Sequence, residues 1–240
     1  MKLKFLGTRA NTEERSRIHY RHSSLLVTWR QTEVMIDCGE DWEGEPEKLE
    51  VDFIVLTHAH PDHAWGLRSG TSLPVFATEA TWSDLHTFPI ERKYTVTLKD
   101  PFTIGDITFE AFPVDHSTRC PAVGYRITAG PYSIFYVPDV VYIPDRESAL
   151  RDIDLYIGDG ATVTRSMVRK AGDSLVGHTP IRTQVGWCQK SGVPRALFTH
   201  CGTEIIKAER ERIEQQIKIL GQEKGVDASI AYDGLEIVLP

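Results

Sequence analysis

The segment His58-Ala59-His60-Pro61-Asp62-His63 restricts the fold of this 240-residue chain more than any other feature of its sequence. Three imidazoles and one carboxylate follow the apolar run Phe53–Leu56 after the single residue Thr57. Borderline divalent metals prefer imidazole nitrogen and carboxylate oxygen as ligands. A single histidine is more often a hydrogen-bonded residue than a ligand, but composition alone rarely produces such a cluster. The segment predicts a metal site on the turn after a strand.

Three further candidate ligands each follow an apolar run that has the composition of a strand. They are His116, Asp139 and His200. Each one alone is weak evidence, since Asp139 beside Pro138 is also a typical turn residue. Because all three follow runs that end at a sheet edge, they are candidates for the same metal site.

The His-x-His-x-Asp-His pattern, with Asp52 leading into its strand, resembles the signature of the metallo-β-lactamase superfamily. The resemblance implies an α/β fold, the αββα four-layer sandwich, with two divalent metal ions at one edge. It assigns the ligands in three groups: His58, His60 and His116 to the first metal, Asp62, His63 and His200 to the second, and Asp139 as the bridge between them. A carboxylate suits the bridge because each oxygen can hold one cation. Such a ligand set accepts Zn²⁺, Mn²⁺ or Fe, and we expect Zn²⁺.

A further histidine stands in the segment Gly177-His178-Thr179-Pro180. Its position before a predicted helix resembles that of a non-ligand histidine that assists catalysis in ribonuclease Z and in the cyclic phosphodiesterase of bacterial phosphonate breakdown. The closing segment 233–237, Asp-Gly-Leu-Glu-Ile, resembles the end of that phosphodiesterase. A surface histidine near a helix cap and a glycine turn after a strand are the alternatives.

The resemblance implies a metal-dependent hydrolase. The expected reaction is cleavage of a small or cyclic phosphodiester through a metal-bound hydroxide. Asp62 would orient the hydroxide besides binding metal, and His178 would protonate the departing alkoxide. Two alternatives stay open, a carbon-ester hydrolase of the lactonase or thioesterase type and a tRNA 3′-processing endonuclease. The full ligand set argues against a non-catalytic role.

The charge balance bears on the substrate. A formal net charge of −7 and the lack of a Gly/Pro-rich arm argue against tRNA, so the expected partner is a small phosphorylated substrate. The densest cationic stretch is 15–22, in which Arg15, Arg17 and Arg21 are candidates to clamp a substrate phosphate. A solvated loop is the alternative for this stretch.

Length and composition predict one metallo-β-lactamase-fold domain over residues 1–240. The first residues, 1–6, lack the long apolar core that is typical of a signal peptide, and no run approaches the length of a membrane span, so we expect a cytoplasmic protein without membrane contact. Members of the resembled branch are often dimers, which makes a homodimer an expectation as well.

Residue patterns predict strands near 2–6, 23–29, 33–37, 53–57, 74–77, 93–97, 107–113, 123–128, 132–137, 154–158, 195–199, 228–231 and 235–239. One helix is predicted from Glu204 to Leu220 by its apolar stripe. Another is predicted to begin with Thr179 as N-cap and Pro180 as its first helical residue.

Overall fold

Two large β-sheets form the body of the protein, whose computed structural model describes residues 1–239. The first sheet consists of β1 (Lys2–Gly7), β2 (Ser24–Trp29), β3 (Thr32–Ile36), β4 (Phe53–Val55), β5 (Thr71–Thr78), β6 (Ile90–Val96) and β16 (Glu236–Val238). The second consists of β7 (Phe102–Ile104), β8 (Ile107–Val114), β9 (Ala122–Ala129), β10 (Tyr132–Tyr136), β11 (Leu155–Asp159), β14 (Arg195–Thr199) and β15 (Asp227–Ile230). A separate hairpin consists of β12 (Arg169–Ala171) and β13 (Ser174–Val176).

Helices connect the strands on the outer faces of both sheets. The α-helices are α1 (Pro61–Ala64), α2 (Glu79–Asp84), α3 (Arg146–Ala149), α4 (Ile181–Ser191), α5 (Thr203–Lys207) and α6 (Arg210–Gln222). Short 3₁₀ helices lie at Glu40–Trp42, Pro46–Leu49 and Trp65–Leu67. Within residues 1–239, no helix combines the length and hydrophobicity that crossing a membrane would require.

Each sheet has an antiparallel half and a parallel half. In the first, β16, β1, β2 and β3 are antiparallel, and β3 to β6 are parallel. In the second, β7 to β10 are antiparallel, and β10, β11, β14 and β15 are parallel. The strands β8, β10, β11 and β14 therefore run in one direction, and the residues that follow them gather at one edge.

The main core lies between the two sheets. Leu3 and Phe5 of the first sheet belong to the same buried cluster as Ile134 and Tyr136 of the second. Phe135, between the last two, packs in another cluster on the opposite face, with α4 and α6. Adjacent strand residues point to opposite faces, so both faces of β10 are covered.

A third buried cluster joins the outer face of the first sheet to the helices on that side. It contains Met35 and Ile54 from the strands and Trp42, Leu67 and Trp82 from the helical segments. The layers are thus helices, sheet, sheet and helices, which confirms the predicted αββα sandwich. That the chain forms a single domain stays a prediction.

The predicted helix over 204–220 is wrong in one respect, because it is two helices. The backbone is extended at Ala208, with φ −73° and ψ 153°, so α5 ends and α6 begins after it. The break lets Ile206 of α5 and Ile213 of α6 enter one buried cluster. Conversely, α4 begins one residue later than predicted, since Pro180 is extended and serves as its N-cap.

Candidate metal centre

Four of the candidate ligands come from the turn that follows β4. His60 has an extended backbone and caps α1, whose first residue is Pro61, a favourable first position. The His63 N–H donates to the His60 carbonyl at 2.9 Å. This single helical turn directs Asp62 and His63 to the interior, where both are buried together with His58.

The remaining three candidates follow strands of the second sheet. His116 comes after β8, Asp139 after β10 and His200 after β14, and all three are buried. His200 has a left-handed backbone with φ 54°, an unusual conformation for a residue other than glycine. All seven predicted ligands therefore meet, four from the first sheet and three from the second.

The first group of ligand atoms is compact. His58 Nε2 lies 2.9 Å from His60 Nδ1, and His116 Nε2 lies 3.2 Å from the same atom. Nitrogens that bind one ion tetrahedrally at about 2.0–2.1 Å are roughly 3.3 Å apart. The three imidazoles thus have the spacing of ligands around one cation, and an Asp139 oxygen completes the group.

The second group contains Asp62, His63 and His200, with Asp139 again as a member. His63 Nε2 is 3.0 Å from Asp139 Oδ2, and His200 Nε2 is 3.1 Å from Asp62 Oδ2. Within each group the ligand atoms lie within 4.8 Å of one another. Because Asp139 belongs to both, the geometry is that of two adjacent cation positions with a shared carboxylate.

Hydrogen bonds behind the rings fix which nitrogen faces inward. Thr57 Oγ1 donates to Asp37 and therefore accepts from Nδ1 of His58, 3.0 Å away. Nδ1 of His63 donates to Asp37 Oδ2 at 2.9 Å. Nδ1 of His116 donates to the Gly177 carbonyl at 3.0 Å. These bonds leave Nε2 of these three rings as the nitrogen available to a cation.

Several buried atoms of the site lack a hydrogen-bond partner within residues 1–239. They are His63 Nε2, Asp139 Oδ1 and His200 Nδ1. The last two lie 2.9 Å apart but are not aligned for a hydrogen bond. Buried polar atoms are almost always satisfied. These unpartnered atoms are imidazole nitrogens and a carboxylate oxygen, which are the kinds of atom that bind metal cations. The residues present are therefore suited to hold metal ions.

The charges of the cluster point the same way. Burial lowers the pKa of His58 well below its usual value and that of His60 to about 4, so both rings are neutral. Burial also lowers the pKa of His63, but the Asp62 and Asp139 carboxylates outweigh this and raise it well above its usual value. The buried carboxylates thus require nearby positive charge, which protons or metal cations can supply.

His178 stands beside these groups and is partly exposed to the cleft. Its Nδ1 donates to Asp159 Oδ2 at 2.8 Å and lies 3.4 Å from Asp139 Oδ1. Burial lowers the pKa of His178, but the Asp159 carboxylate outweighs it and the net change is upward. The ring is thus anchored at Nδ1, with Nε2 free for another partner.

Sequence reasoning missed Asp159, although it ends an apolar strand in the same way as Asp139. It is fully buried and accepts from Val140 N at 3.1 Å and Ala161 N at 2.8 Å, besides His178. The signal was the run Leu-Tyr-Ile-Gly-Asp over 155–159. Gln184 of α4 donates to the Asp159 carbonyl at 2.7 Å and so joins the helix after His178 to this strand.

The metal groups open into a cleft of about 750 Å³. Besides ligands and His178, the cationic side chains that line it are Arg119, Arg165 and Arg169. Sequence reasoning missed all three, because they are scattered among residues that form no cationic run. Arg119 follows His116 in the same loop, and the other two belong to the segment before His178.

The arginines that the sequence favoured lie elsewhere. Within the described chain, Arg15, Arg17 and Arg21 are not among the residues that line the cleft. Arg15 pairs with Asp41 at 2.9 Å, and Arg21 is 3.6 Å from Glu45 and covers the Trp42 ring. Arg17 borders a separate apolar depression. The structure contradicts their placement at the cleft and makes segment 15–22 a structural loop.

Comparisons with known proteins agree with this fold and site. The model of the β-lactamase superfamily domain matches residues 32–201, a range that contains every candidate ligand. The chain belongs to the metallo-β-lactamase superfamily. The metallo-β-lactamase-fold protein YhfI of Bacillus subtilis superposes with a TM-score of 0.73 at 16% identity, over 98% of both chains. A diphosphatase from the PhnP family superposes with a TM-score of 0.72 at 22% identity, over 98% of this chain and 96% of the other.

Two curated relatives are similar in sequence. The exodeoxyribonuclease YycJ of Bacillus anthracis is 32% identical over 104 residues, which is 40% of this chain and 39% of the relative. The ribonuclease Z of Methanopyrus kandleri is 29% identical over 142 residues, or 52% and 49% of the two chains. The chain thus spans less than half the length of these relatives.

Proposed function

We propose that this protein is a metal-dependent hydrolase that cleaves a small phosphodiester. The observation that carries the proposal is the convergence of two four-residue groups that share Asp139, with His178 beside them. His58, His60 and His116 would hold one cation, and Asp62, His63 and His200 the other. Zn²⁺ is the ion we propose for both positions, since the donors are imidazoles and carboxylates.

Bound cations would supply Lewis acidity, which polarises a phosphoryl oxygen and lowers the pKa of a water molecule. The chain itself supplies orientation and proton transfer. The buried Asp62 carboxylate faces His63 and His200 and can accept a hydrogen bond from the attacking water. His178 can hold a proton at Nε2 and deliver it to the departing alkoxide, while Asp159 stabilises the charged imidazole.

The substrate class follows from the cleft and from the relatives. A volume of about 750 Å³ is within the usual range for small-molecule sites. The relatives with similar sequence are an exodeoxyribonuclease and a ribonuclease Z, and a structural neighbour is a diphosphatase. All three names describe hydrolysis at phosphorus, which supports a phosphodiester over a carbon ester.

A substrate panel with Zn²⁺-loaded and Mn²⁺-loaded protein tests the proposal. We expect hydrolysis of bis-p-nitrophenyl phosphate or a 2′,3′-cyclic nucleotide, and none of a lactone. Activity on the lactone alone would overturn the proposal, and cleavage of precursor tRNA alone would favour the endonuclease alternative. Asp139→Asn should abolish activity, whereas Asp100→Asn, at an exposed position, should retain it.

A further inference from the structure

The three arginines that line the cleft are available to bind an anion. Within residues 1–239, the guanidinium groups of Arg119, Arg165 and Arg169 have no acidic partner, whereas Arg15 and Arg68 are paired with carboxylates. The chain as a whole carries a net charge of −7. A group of unpaired cations in one cleft is therefore a local departure from an acidic protein.

Backbone contacts attach these arginines to the metal site. Arg119 lies on a turn whose N–H groups at 119 and 120 donate to Ser117 Oγ at 3.2 and 3.4 Å, directly after His116. On the other side, the Met167 N–H donates to the His178 carbonyl at 3.1 Å, midway between Arg165 and Arg169. The three arginines thus belong to two segments, one of which carries the candidate ligand His116 and the other the candidate proton donor His178.

These two segments are also joined to each other. Gly177 donates to the His116 carbonyl at 2.9 Å and accepts from His116 Nδ1 at 3.0 Å. Gly177 has φ 107°, and a side chain there would collide with the Met167 carbonyl. The hairpin β12–β13, which carries Arg169, is therefore closely packed against the site where it ends, next to Gly177.

The acidic side chains of the cleft would not repel a bound anion strongly. Those that line it are Asp62, Asp139 and Glu204. The first two are candidate metal ligands, and Glu204 Oε2 accepts from Thr162 Oγ1 at 2.8 Å and from the Val163 N–H at 3.3 Å. Cations at the two ligand groups would contact the phosphate that is cleaved, and the three guanidinium groups remain available to another anionic group.

We infer that Arg119, Arg165 and Arg169 bind a second phosphate group of the substrate, beside the phosphodiester that is cleaved. This inference rests on the proposed function and deepens it, because it names the substrate class as a small phosphodiester that carries an additional phosphate. Guanidinium groups suit this task, since their planar donors match the oxygens of phosphate.

Calorimetric titration of the Zn²⁺-loaded protein tests the inference without turnover. The ligands are thymidine 3′,5′-bisphosphate and thymidine 5′-monophosphate, which differ by one phosphate. We expect the bisphosphate to bind about tenfold more tightly or better, and the difference to shrink in high salt. Equal affinities would overturn the inference. A tetradeoxynucleotide that binds more tightly than the bisphosphate would overturn the assignment to a small ligand.

Variants of one of these arginines sharpen the test. Arg165→Ala should reduce the bisphosphate affinity about tenfold and leave that of the monophosphate unchanged, and Arg165→Lys should retain part of the difference. Arg212→Ala, at an exposed position of α6, is the matched control and should change neither affinity. Equal effects of the Arg165 and Arg212 variants would contradict the inference. If the panel detects no hydrolysis but the bisphosphate preference persists, only the proposed reaction fails.

Discussion

At the scale of single residues, the groups behind the candidate ligands control the site. Asp37 is fully buried and accepts hydrogen bonds from Thr57 and from Nδ1 of His63. Through Thr57 Oγ1 it also determines the proton position on His58. One carboxylate thus orients an imidazole in each of the two metal groups, although it faces neither cation position itself.

We expect Asp37→Asn to weaken metal affinity about 10- to 100-fold, because an amide cannot accept all of these hydrogen bonds. Competition with a chromogenic chelator measures the change. Asp52→Asn is the control, since the exposed Asp52 accepts from the Glu33 N–H at 2.8 Å far from any ligand ring. Equal metal affinities of the wild type and the Asp37 variant would contradict this reading.

His178 and Asp159 should act as one unit. We expect His178→Ala to reduce kcat about 100-fold or more and to leave the metal content unchanged, since the proposed role of the ring is proton donation and its Nδ1 is held by Asp159. Asp159→Asn should reduce kcat as well, and the double variant should be little worse than His178→Ala. His86→Ala, at an exposed position, is the control.

Additive losses in the double variant would show that the two residues act independently. Loss of metal from the His178→Ala protein would contradict its assignment as a proton donor, because that role leaves both cation groups intact.

The candidate site shows what sequence patterns can and cannot reveal about residues. A polar residue at the end of an apolar strand pointed to His116, Asp139 and His200, which the structure brings together, and the same rule applied to 155–159 would have found Asp159. Sequence patterns do not show which surface arginines are free to bind a substrate. Arg15 is paired with Asp41, which is distant in sequence, and no local pattern reports such a partner.

At the scale of secondary structure, alternation of apolar and polar residues predicted the strands of the two large sheets except β7 (Phe102–Ile104), because strands that bury one face show this pattern. It missed the hairpin β12–β13, whose residues are almost all exposed. It also merged α5 and α6, since the break at Ala208 keeps isoleucines of both helices in one cluster. Tertiary packing determines both the exposed hairpin and the break between the helices, and the periodicity of the sequence alone does not reveal such packing.

The loop between β1 and β2 contains a buried histidine with a structural role. Nδ1 of His19 donates to Thr8 Oγ1 at 2.7 Å, and Thr8 Oγ1 donates to Asp233 Oδ1 at 2.6 Å. Asp233 also accepts from the Tyr20 N–H at 2.8 Å. The closing Asp-Gly-x-Glu-Ile segment therefore anchors this loop, which makes its contribution structural.

This arrangement predicts acid sensitivity. Burial, aided by the Arg210 charge, lowers the pKa of His19 from 6.5 to about 4. The unfolded chain therefore binds more protons between these values, and the free energy of unfolding falls as pH drops from 6.5 towards 4, by about 2–3 kcal/mol from this group.

Urea unfolding of His19→Gln at several pH values measures the effect. The variant should lose less stability than the wild type between pH 6.5 and 4, while His86→Gln should behave as the wild type. Identical pH profiles for the wild type and the His19 variant would contradict the prediction.

At the scale of the whole molecule, the candidate metal centre lies where the two sheets meet. The turn after β4 belongs to the first sheet, and the residues after β8, β10 and β14 belong to the second. Cations bound by both groups would cross-link the halves and stabilise only the folded state.

Chelation should therefore lower the melting temperature. An ion present at about 100 times its dissociation constant stabilises the fold by about 2.7 kcal/mol. For a chain of this size we expect a decrease of roughly 5–10 °C per ion removed. Differential scanning fluorimetry with and without EDTA measures it, and restoration by Zn²⁺ but not by Na⁺ is the control. A melting temperature that EDTA does not change would contradict a metal that bridges the sheets.

The most direct test of the account is the metal content of purified protein, determined by inductively coupled plasma mass spectrometry after dialysis against metal-free buffer. We expect two transition-metal ions per chain in the wild type, and a loss from both positions in Asp139→Ala, because that carboxylate belongs to both groups. Protein that retains no transition metal after exposure to Zn²⁺ or Mn²⁺, or an Asp139→Ala variant that retains both ions, would contradict the central claim.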